Sequence, residues 1–421
     1  MAYRFVHSAD IHLDSPLRSL AMRNPALASV VGLATRRAFE RLVDICLDEK
    51  VDALLLAGDL YDGEQTSMKT ARFLAEQVRR LDQAGVRVFI IRGNHDAMSG
   101  ITQELLFPDS VKVFGTSAET VAVDLASGHF PVVFHGLSFA KPQAPQGLLR
   151  HYHTPIPGAV NIGIMHTSLG GVEGHDVYAP CSLQELQNSG FRYWALGHIH
   201  KRSVVLGDAT VVMPGMPQGR DINESGAKSV TVVTIGDDRS ITVEERLTSL
   251  AQFERLVVDV SRAEDWRGLV NTLSGALEAK RTEVASEHFV ARVRIAGPSP
   301  LTWNILNDID LLKTELDHRG EVIGKTWIEK VEVDSDDANM NFDRGSANAI
   351  SELARLITTE VVDSEAFMLE FRTVAEELRA QMPAELRHAF GANSADFERV
   401  LSDLKHEGAR VAVARLLMAE R

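Results

Sequence analysis

The chain has 421 residues, 45% of them apolar and 24% charged, an ordinary globular composition with length for two or three domains. A formal net charge of −14 argues against indiscriminate wrapping of nucleic acid, because non-specific affinity comes from Lys and Arg displacing counterions. Two cysteines, Cys46 and Cys181, exclude a disulfide framework and a cysteine zinc cluster. With no leader-like start and no apolar run of membrane-spanning length, the expectation is a soluble, cytoplasmic protein with no membrane partner.

In chain order, Arg4 to His7 reads as a strand that ends at Asp10-Ile11-His12. The stripe Phe39, Leu42, Val43, Cys46, Leu47 reads as a buried helix face, and Ala53 to Leu56 as a strand ending at Gly58-Asp59. Ala71, Leu74, Val78 and Leu81 mark a second helix. Val86 to Ile91 then leads into Gly93-Asn94-His95-Asp96, Val160 to Met165 into His166, and Tyr193 to Leu196 into Gly197-His198-Ile199-His200. This alternation is a β-α-β signature, and in open α/β sheets the loops leaving the carboxyl ends of strands form the binding crevice.

From Val204 to about Arg246 the pattern changes to short alternating strands, at Ser203–Leu206, Thr210–Met213, Ser229–Ile235 and Ile241–Glu245. Two packed sheets with helices outside account for this better than one parallel sheet. After Leu250 a β-α-β-α-β block is expected: Leu256–Val260, Trp266–Ala285, Phe289–Ile295, a helix around Ile305–Leu316, and Thr326–Val333. A polar run from Asp334 to Gly345 reads as a linker into an all-helical tail, in which Phe367, Phe371, Val374 and Leu378 share one face and Phe397, Val400, Leu401 and Leu404 another. The predicted domains are 1–250, 251–337 and 346–421.

The residue types at the five strand ends describe a two-metal phosphoesterase site. Two divalent ions about 3.5 to 4 Å apart, bridged by a carboxylate, activate water and neutralise charge on a phosphodiester. Asp59 is the expected bridge. Asp10, His12, Asp59 and His200 are assigned to the first ion, and Asp59, Asn94, His166 and His198 to the second. Mixed nitrogen and oxygen ligation suits manganese, iron or zinc better than calcium. His95, left over once the shells are filled, is placed as a general acid for the leaving alkoxide, and Asp62 as a carboxylate that could hold its ring in one tautomer. Arg18, Lys201, Arg202 and Arg220 are candidate phosphate contacts for which a solvated surface role is the simpler reading. His7 reads as structural, and His129, His135, His151 and His153 as surface or packed residues. The Gly170–Asp176 loop with His175 is a further candidate substrate contact.

The set Asp10-Ile11-His12, Gly58-Asp59-Leu60-Tyr61-Asp62, Gly93-Asn94-His95-Asp96, His166 and Gly197-His198-Ile199-His200 resembles the calcineurin-like metallophosphoesterase superfamily. Within it the chain resembles the SbcD-type DNA repair exonucleases and their YhaO-like bacterial branch, through His7 to Pro16, His166 to Gly171 and Tyr193 to His198. The resemblance covers about residues 1 to 250. It implies a four-layer α-β-β-α catalytic domain with a smaller capping domain, and manganese-dependent cleavage of DNA. It also implies an SbcC-like coiled-coil ATPase as partner, bound through helices near the C-terminus, and a homodimer. Asp62 stands where relatives carry His, so a second catalytic histidine is not expected. Two other readings share the motif set: a phosphodiesterase or phosphatase for a non-DNA substrate, and a non-catalytic scaffold of the same fold.

Overall fold

The apolar runs of the first 250 residues form two six-stranded sheets in a computed structural model of the chain. The structure describes residues 2–15, 24–61, 67–98, 107–125, 130–141, 147–170, 181–334, 349–382, 387, 390, 391 and 393–418. Asp62, Arg18, His129 and His175 lie outside the described residues. The strands are β1 (Tyr3–Ser8), β2 (Ala53–Ala57), β3 (Arg87–Ile91), β4 (Val111–Val113), β5 (Glu119–Asp124), β6 (Pro131–Gly136), β7 (Val160–His166), β8 (Tyr193–Gly197), β9 (Ser203–Val205), β10 (Thr210–Met213), β11 (Ser229–Ile235) and β12 (Ile241–Leu247). One sheet has the order β12-β11-β1-β2-β3-β4 and the other β5-β6-β7-β8-β10-β9. The central strands β1 to β4 run parallel, as do β6, β7, β8 and β10, while β11, β12, β5 and β9 pair antiparallel.

Period-two alternation divides each central strand between two cores. Ala53, Leu55 and Ala57 of β2, with Phe89 and Ile91 of β3, meet Phe134, Ile162, Ile164, Tyr193 and Ala195 from the second sheet. Leu54, Leu56, Val88 and Ile90 face the other way, onto α1 (Ala34–Asp48) and α2 (Met68–Gln83) through Phe39, Leu42, Val43, Cys46, Leu74, Val78 and Leu81. Trp194 and Leu196 point outward from the second sheet and pack with Leu186 of α3 (Leu183–Gln187). The layers are therefore α-β-β-α. Each such Leu or Phe contributes roughly 2 kcal/mol by leaving water, so strands buried on both faces make this core the rigid base for the loops at its edge. Ser67 caps α2 by accepting the Thr70 N–H at 3.2 Å, which fixes where that helix starts.

The described chain divides into two compact units, Met1–Leu17, Ala26–Phe253 and Val284–Phe289 in one and the remainder in the other. After the first twelve strands, β13 (Ala251–Asp259), β14 (His288–Ala296) and β15 (Thr326–Val333) form a three-stranded sheet in that order. It is accompanied by α4 (Trp266–Glu283), α5 (Thr302–Asn307) and α6 (Ile309–Ile323). The single helix expected around Ile305–Leu316 is two helices, because Asp308 leaves helical backbone at φ −115°, ψ 33°. The tail is helical as expected, with α7 (Ala349–Leu356), α8 (Glu365–Gln381) and α9 (Ser394–Met418). Phe371 and Ala375 of α8 pack with Phe390, Phe397 and Leu401. That face is rotated from the expected one: Phe367 stacks on Phe371 at 5.7 Å, but Val374 and Leu378 are 61% and 53% exposed. Among the described residues no helix is long and apolar enough to cross a membrane.

Candidate metal centre

The loops leaving β1 and β2 are laced together in a backbone conformation that L-residues avoid. Asp10, His12 and Asp59 have φ of 53°, 45° and 54°, and His198 has 103°. Each costs on the order of 1–2 kcal/mol, and main-chain bonds hold them there. Asp10 N–H donates to Gly58 O at 3.0 Å, His12 N–H to Asp59 O at 3.1 Å, and Leu13 N–H to Leu60 O at 2.9 Å. The buried Asp96 carboxylate accepts the N–H groups of Leu60, Tyr61 and Gly93, joining the loop after β2 to the one after β3. Burial and the nearby Asp59 charge raise its pKa to about 6 even so. Two glycines are required by close approach. A Cβ on Gly93 would sit 2.2 Å from Asp59 Oδ1, and one on Gly197 would sit 2.1 Å from Ala57 O.

This lacing gathers the predicted residues into two groups. Asp10, His12 and His200 offer ligand atoms that all lie within 4.8 Å of one another, and Asp59, His166 and His198 do the same. In the first group His200 Nδ1 faces Glu224 Oε1 at 2.8 Å, which turns its Nε2 toward His12 Nε2 at 3.3 Å. In the second, His166 Nδ1 lies 2.9 Å from Ala57 O, leaving Nε2 at 3.0 Å from Asn94 Oδ1 and 3.3 Å from Asp59 Oδ2. The two groups are stitched together, since His198 N–H donates to both Asp10 oxygens at 3.1 and 3.0 Å. His95 is in neither group. Its N–H donates to Asp59 Oδ1 at 3.0 Å, and its ring stands 5.2 Å, centre to centre, from that of His12.

The donor set fits divalent ions. Ring nitrogens and carboxylate oxygens converge, each oriented ring being held from its far nitrogen by a carbonyl or carboxylate, the usual support of a metal-ligating imidazole. Electrostatics agree. Burial raises the Asp10 pKa to about 6, with His200 and His166 opposing. Burial also works against an ionised Asp59, but His166, then His12 and His95, overcome it and hold this carboxyl well below its ordinary value. For His166, burial disfavours the cation, yet Asp59 and Asp10 raise the pKa to about 9. Carboxylates that favour a proton on His166 favour a divalent cation more. His166 must then release that proton to offer Nε2, so metal affinity is expected to rise about tenfold per pH unit up to about pH 9. Calorimetry in buffers of different ionisation enthalpy should detect about one proton released near neutral pH; affinity flat from pH 6 to 8 would contradict it.

Other predicted residues are placed less directly. His7 is structural as expected: fully buried, its ring nitrogens lie 2.9 Å from the Tyr193 hydroxyl and 3.0 Å from Leu196 O, and burial lowers its pKa to about 3. His135 is buried and meets Asn161 Oδ1 at 2.9 Å. Lys201 is exposed, whereas Arg202 reaches Thr231 and Glu245. Arg220 is not a solvated surface residue. It clasps Glu224, with Nη2 2.7 Å from Oε1. Glu224 itself was not singled out by the sequence. It stands 24 positions after His200, at the end of a one-turn 3-10 helix (Ile222–Glu224) with no motif around it. Burial opposes its charge, but His200 and Arg220 keep its pKa well below the ordinary carboxylate value.

Comparison with known proteins gives the following matches. Residues 3–202 match the calcineurin-like phosphoesterase family, and residues 253–336 match the middle domain of metallophosphoesterase YhaO. The chain is 33% identical over 299 residues to the uncharacterized metallophosphoesterase YhaO of Bacillus subtilis (strain 168), covering 70% of this chain and 72% of that protein. It is 25% identical over 237 residues to the DNA double-strand break repair protein Mre11 of Methanopyrus kandleri, covering 51% of this chain and 49% of that one. It is 24% identical over 291 residues to the SbcD component of the nuclease SbcCD of Bacillus subtilis (strain 168), covering 58% of this chain and 70% of that protein.

Proposed function

This chain belongs to the calcineurin-like metallophosphoesterase family, and on that premise we propose that it is a two-metal DNA nuclease, using manganese and working beside an SbcC-like coiled-coil ATPase. The family makes it a metal-dependent phosphoester hydrolase. The observation that supports the two-metal reading is the pair of three-residue groups, one of Asp10, His12 and His200 and the other of Asp59, His166 and His198, joined by the His198 N–H donating to both Asp10 oxygens. Similarity to Mre11 and to the SbcD component of SbcCD supports DNA as the substrate.

Asp10, His12, Asp59 and His200 would hold one ion, and Asp59, Asn94, His166 and His198 the other. When bound, the ions supply an activated water and neutralise charge on the phosphoryl oxygens. Glu224 and Ala57 O keep the rings of His200 and His166 turned inward. His95, beside His12 and anchored through Asp59, delivers a proton from its ring to the departing sugar oxygen. Asp96 keeps the loop carrying Asn94 and His95 against the loop carrying Asp59.

The test is a manganese-dependent assay on end-labelled duplex, hairpin and single-stranded DNA beside bis(p-nitrophenyl) phosphate. DNA cleavage abolished by chelation is the expected result. Hydrolysis of the small ester with every DNA left intact would assign the same centre to a non-DNA phosphodiester, and no hydrolysis of either would leave a scaffold. For the partner, α8 presents Leu369, Val374 and Leu378 to solvent at 70%, 61% and 53% exposure. Replacing Val374 and Leu378, one turn apart on the same face, with Asp should abolish co-purification with the ATPase while the small-ester rate stays within about twofold of wild type. Full-strength co-purification would rule this surface out.

A further inference from the structure

Away from the two groups of ligands, the segments that follow β4 and β6 line an open cleft of about 550 Å³, completed by residues just ahead of β7. That volume lies in the range of small-molecule sites. Lys141 and His151 supply cationic or N–H groups, Thr116 and Ser117 supply hydroxyls, and Ala118 and Ala140 supply apolar surface over the buried Leu137 and Phe139, while His153 Nε2 is held by Ala118 O at 2.9 Å. The described lining contains no carboxylate, in a chain whose net charge is −14. The nearby Glu119 is occupied elsewhere, by Lys112 at 2.7 Å and the Gly115 N–H at 3.1 Å. Such a site takes an anion attached to an uncharged body.

The cavity is tied to the catalytic edge. The strands β3, β4, β6 and β7 are parallel within their sheets, so the segments after them leave from their carboxyl ends, where His166 and the Asn94-His95 loop also lie. Phe139 N–H donates to Arg92 O at 3.0 Å, and Arg92 immediately precedes Gly93-Asn94-His95. Ser138 Oγ accepts the Arg92 N–H at 2.9 Å and donates to Phe114 O at 2.6 Å. The Phe139 ring stands edge-on to His166, centres 5.8 Å apart, so one face of this side chain borders the candidate metal centre while the residue also lines the cavity.

The geometry points to a subsite for the nucleotide adjoining the scissile phosphodiester, its phosphate on Lys141 and His151, its sugar and base over Ala118 and Ala140. This assignment rests on the nuclease reading. A small diester fills the metal centre without extending into the cavity, whereas a polynucleotide occupies both, so the subsite selects polymers by ground-state binding.

The experiment compares full-length wild type, the Lys141→Ala/His151→Ala double variant and Ala140→Trp, with manganese, on a short single-stranded oligonucleotide and on bis(p-nitrophenyl) phosphate. Lys141, Ala140 and His151 are all exposed, so these changes leave the core intact. Both variants should raise the oligonucleotide KM about tenfold or more and change its kcat less than about twofold, the double variant by losing charge-assisted contacts made equally in ground and transition states and Ala140→Trp by filling the cavity. Kinetics on the small ester should be unchanged. An unchanged oligonucleotide KM in both variants, with wild type cleaving normally, would overturn the subsite. Equal losses on both substrates would overturn it too, marking the cavity as general support for the centre. A wild type that cleaves only the small ester would instead bring down the nuclease reading, and the nucleotide assignment with it.

Discussion

Asp59→Asn is expected to reduce phosphodiester hydrolysis by about 10³-fold or more and to lower bound metal from two ions to at most one per chain. The amide keeps the size of the carboxylate and can still accept the His95 N–H at Oδ1. It loses the charge that His166, His12 and His95 all feel, and with it the oxygen that could serve both ions. Removal of the carboxylate also removes the largest attraction holding a proton on His166, so the pH dependence of metal binding should flatten. Elemental analysis of the variant alongside its rate on bis(p-nitrophenyl) phosphate checks this. Two tightly bound ions with near-normal turnover would show that Asp59 is not shared.

His95→Ala should act differently, cutting turnover on DNA by about 10² to 10⁴, the contribution of a well-placed general acid, with both ions retained. His95 touches Asp59 through its backbone N–H, which alanine preserves, and its ring lies outside both ligand groups. The size of the loss should depend on the leaving group. A sugar alkoxide needs a proton as it departs, whereas nitrophenolate is stable as an anion, so the small activated ester should lose far less. Loss of metal in this variant, or an equal loss on both substrates, would remove His95 from the acid role.

Much of the architecture was legible because buried strands write themselves as dense apolar runs. Ala53 to Ala57 and Tyr193 to Gly197 are buried at every position, each alternate residue serving a different core. The strands β4 and β5 left weaker marks. Val111–Val113 is three residues long and only half-buried, and Glu119–Asp124 alternates Val121 and Val123 with exposed neighbours at an antiparallel edge. The tail was read as helix correctly, but a helical repeat does not say which part of an apolar stripe meets a neighbour. Phe371 and Ala375 do so, while Val374 and Leu378 face water.

At the centre, the residues legible in the sequence were those fixed by strand ends. Each of Asp10, Asp59, Asn94, His166 and His198 sits within a few positions of a central strand, so order along the chain translated into proximity. Glu224 was invisible because it acts through His200 from a loop between β10 and β11, with no periodicity or motif to mark it. Arg220 was legible only as a surface cation, since its role is set by the buried carboxylate it faces. The positive φ of Asp10, His12 and Asp59 is the complement of the glycines beside them. Gly58 and Gly93 clear the space that these strained loops and the His166 ring occupy.

Anomalous diffraction from crystals soaked in manganese is the most direct measurement of the central claim. Two peaks about 3.5 to 4 Å apart are expected, one among Asp10, His12 and His200, the other among Asp59, Asn94, His166 and His198, with the Asp59 carboxylate between them. A single peak, or two peaks with no side chain in common, would contradict the dinuclear centre and the function built on it.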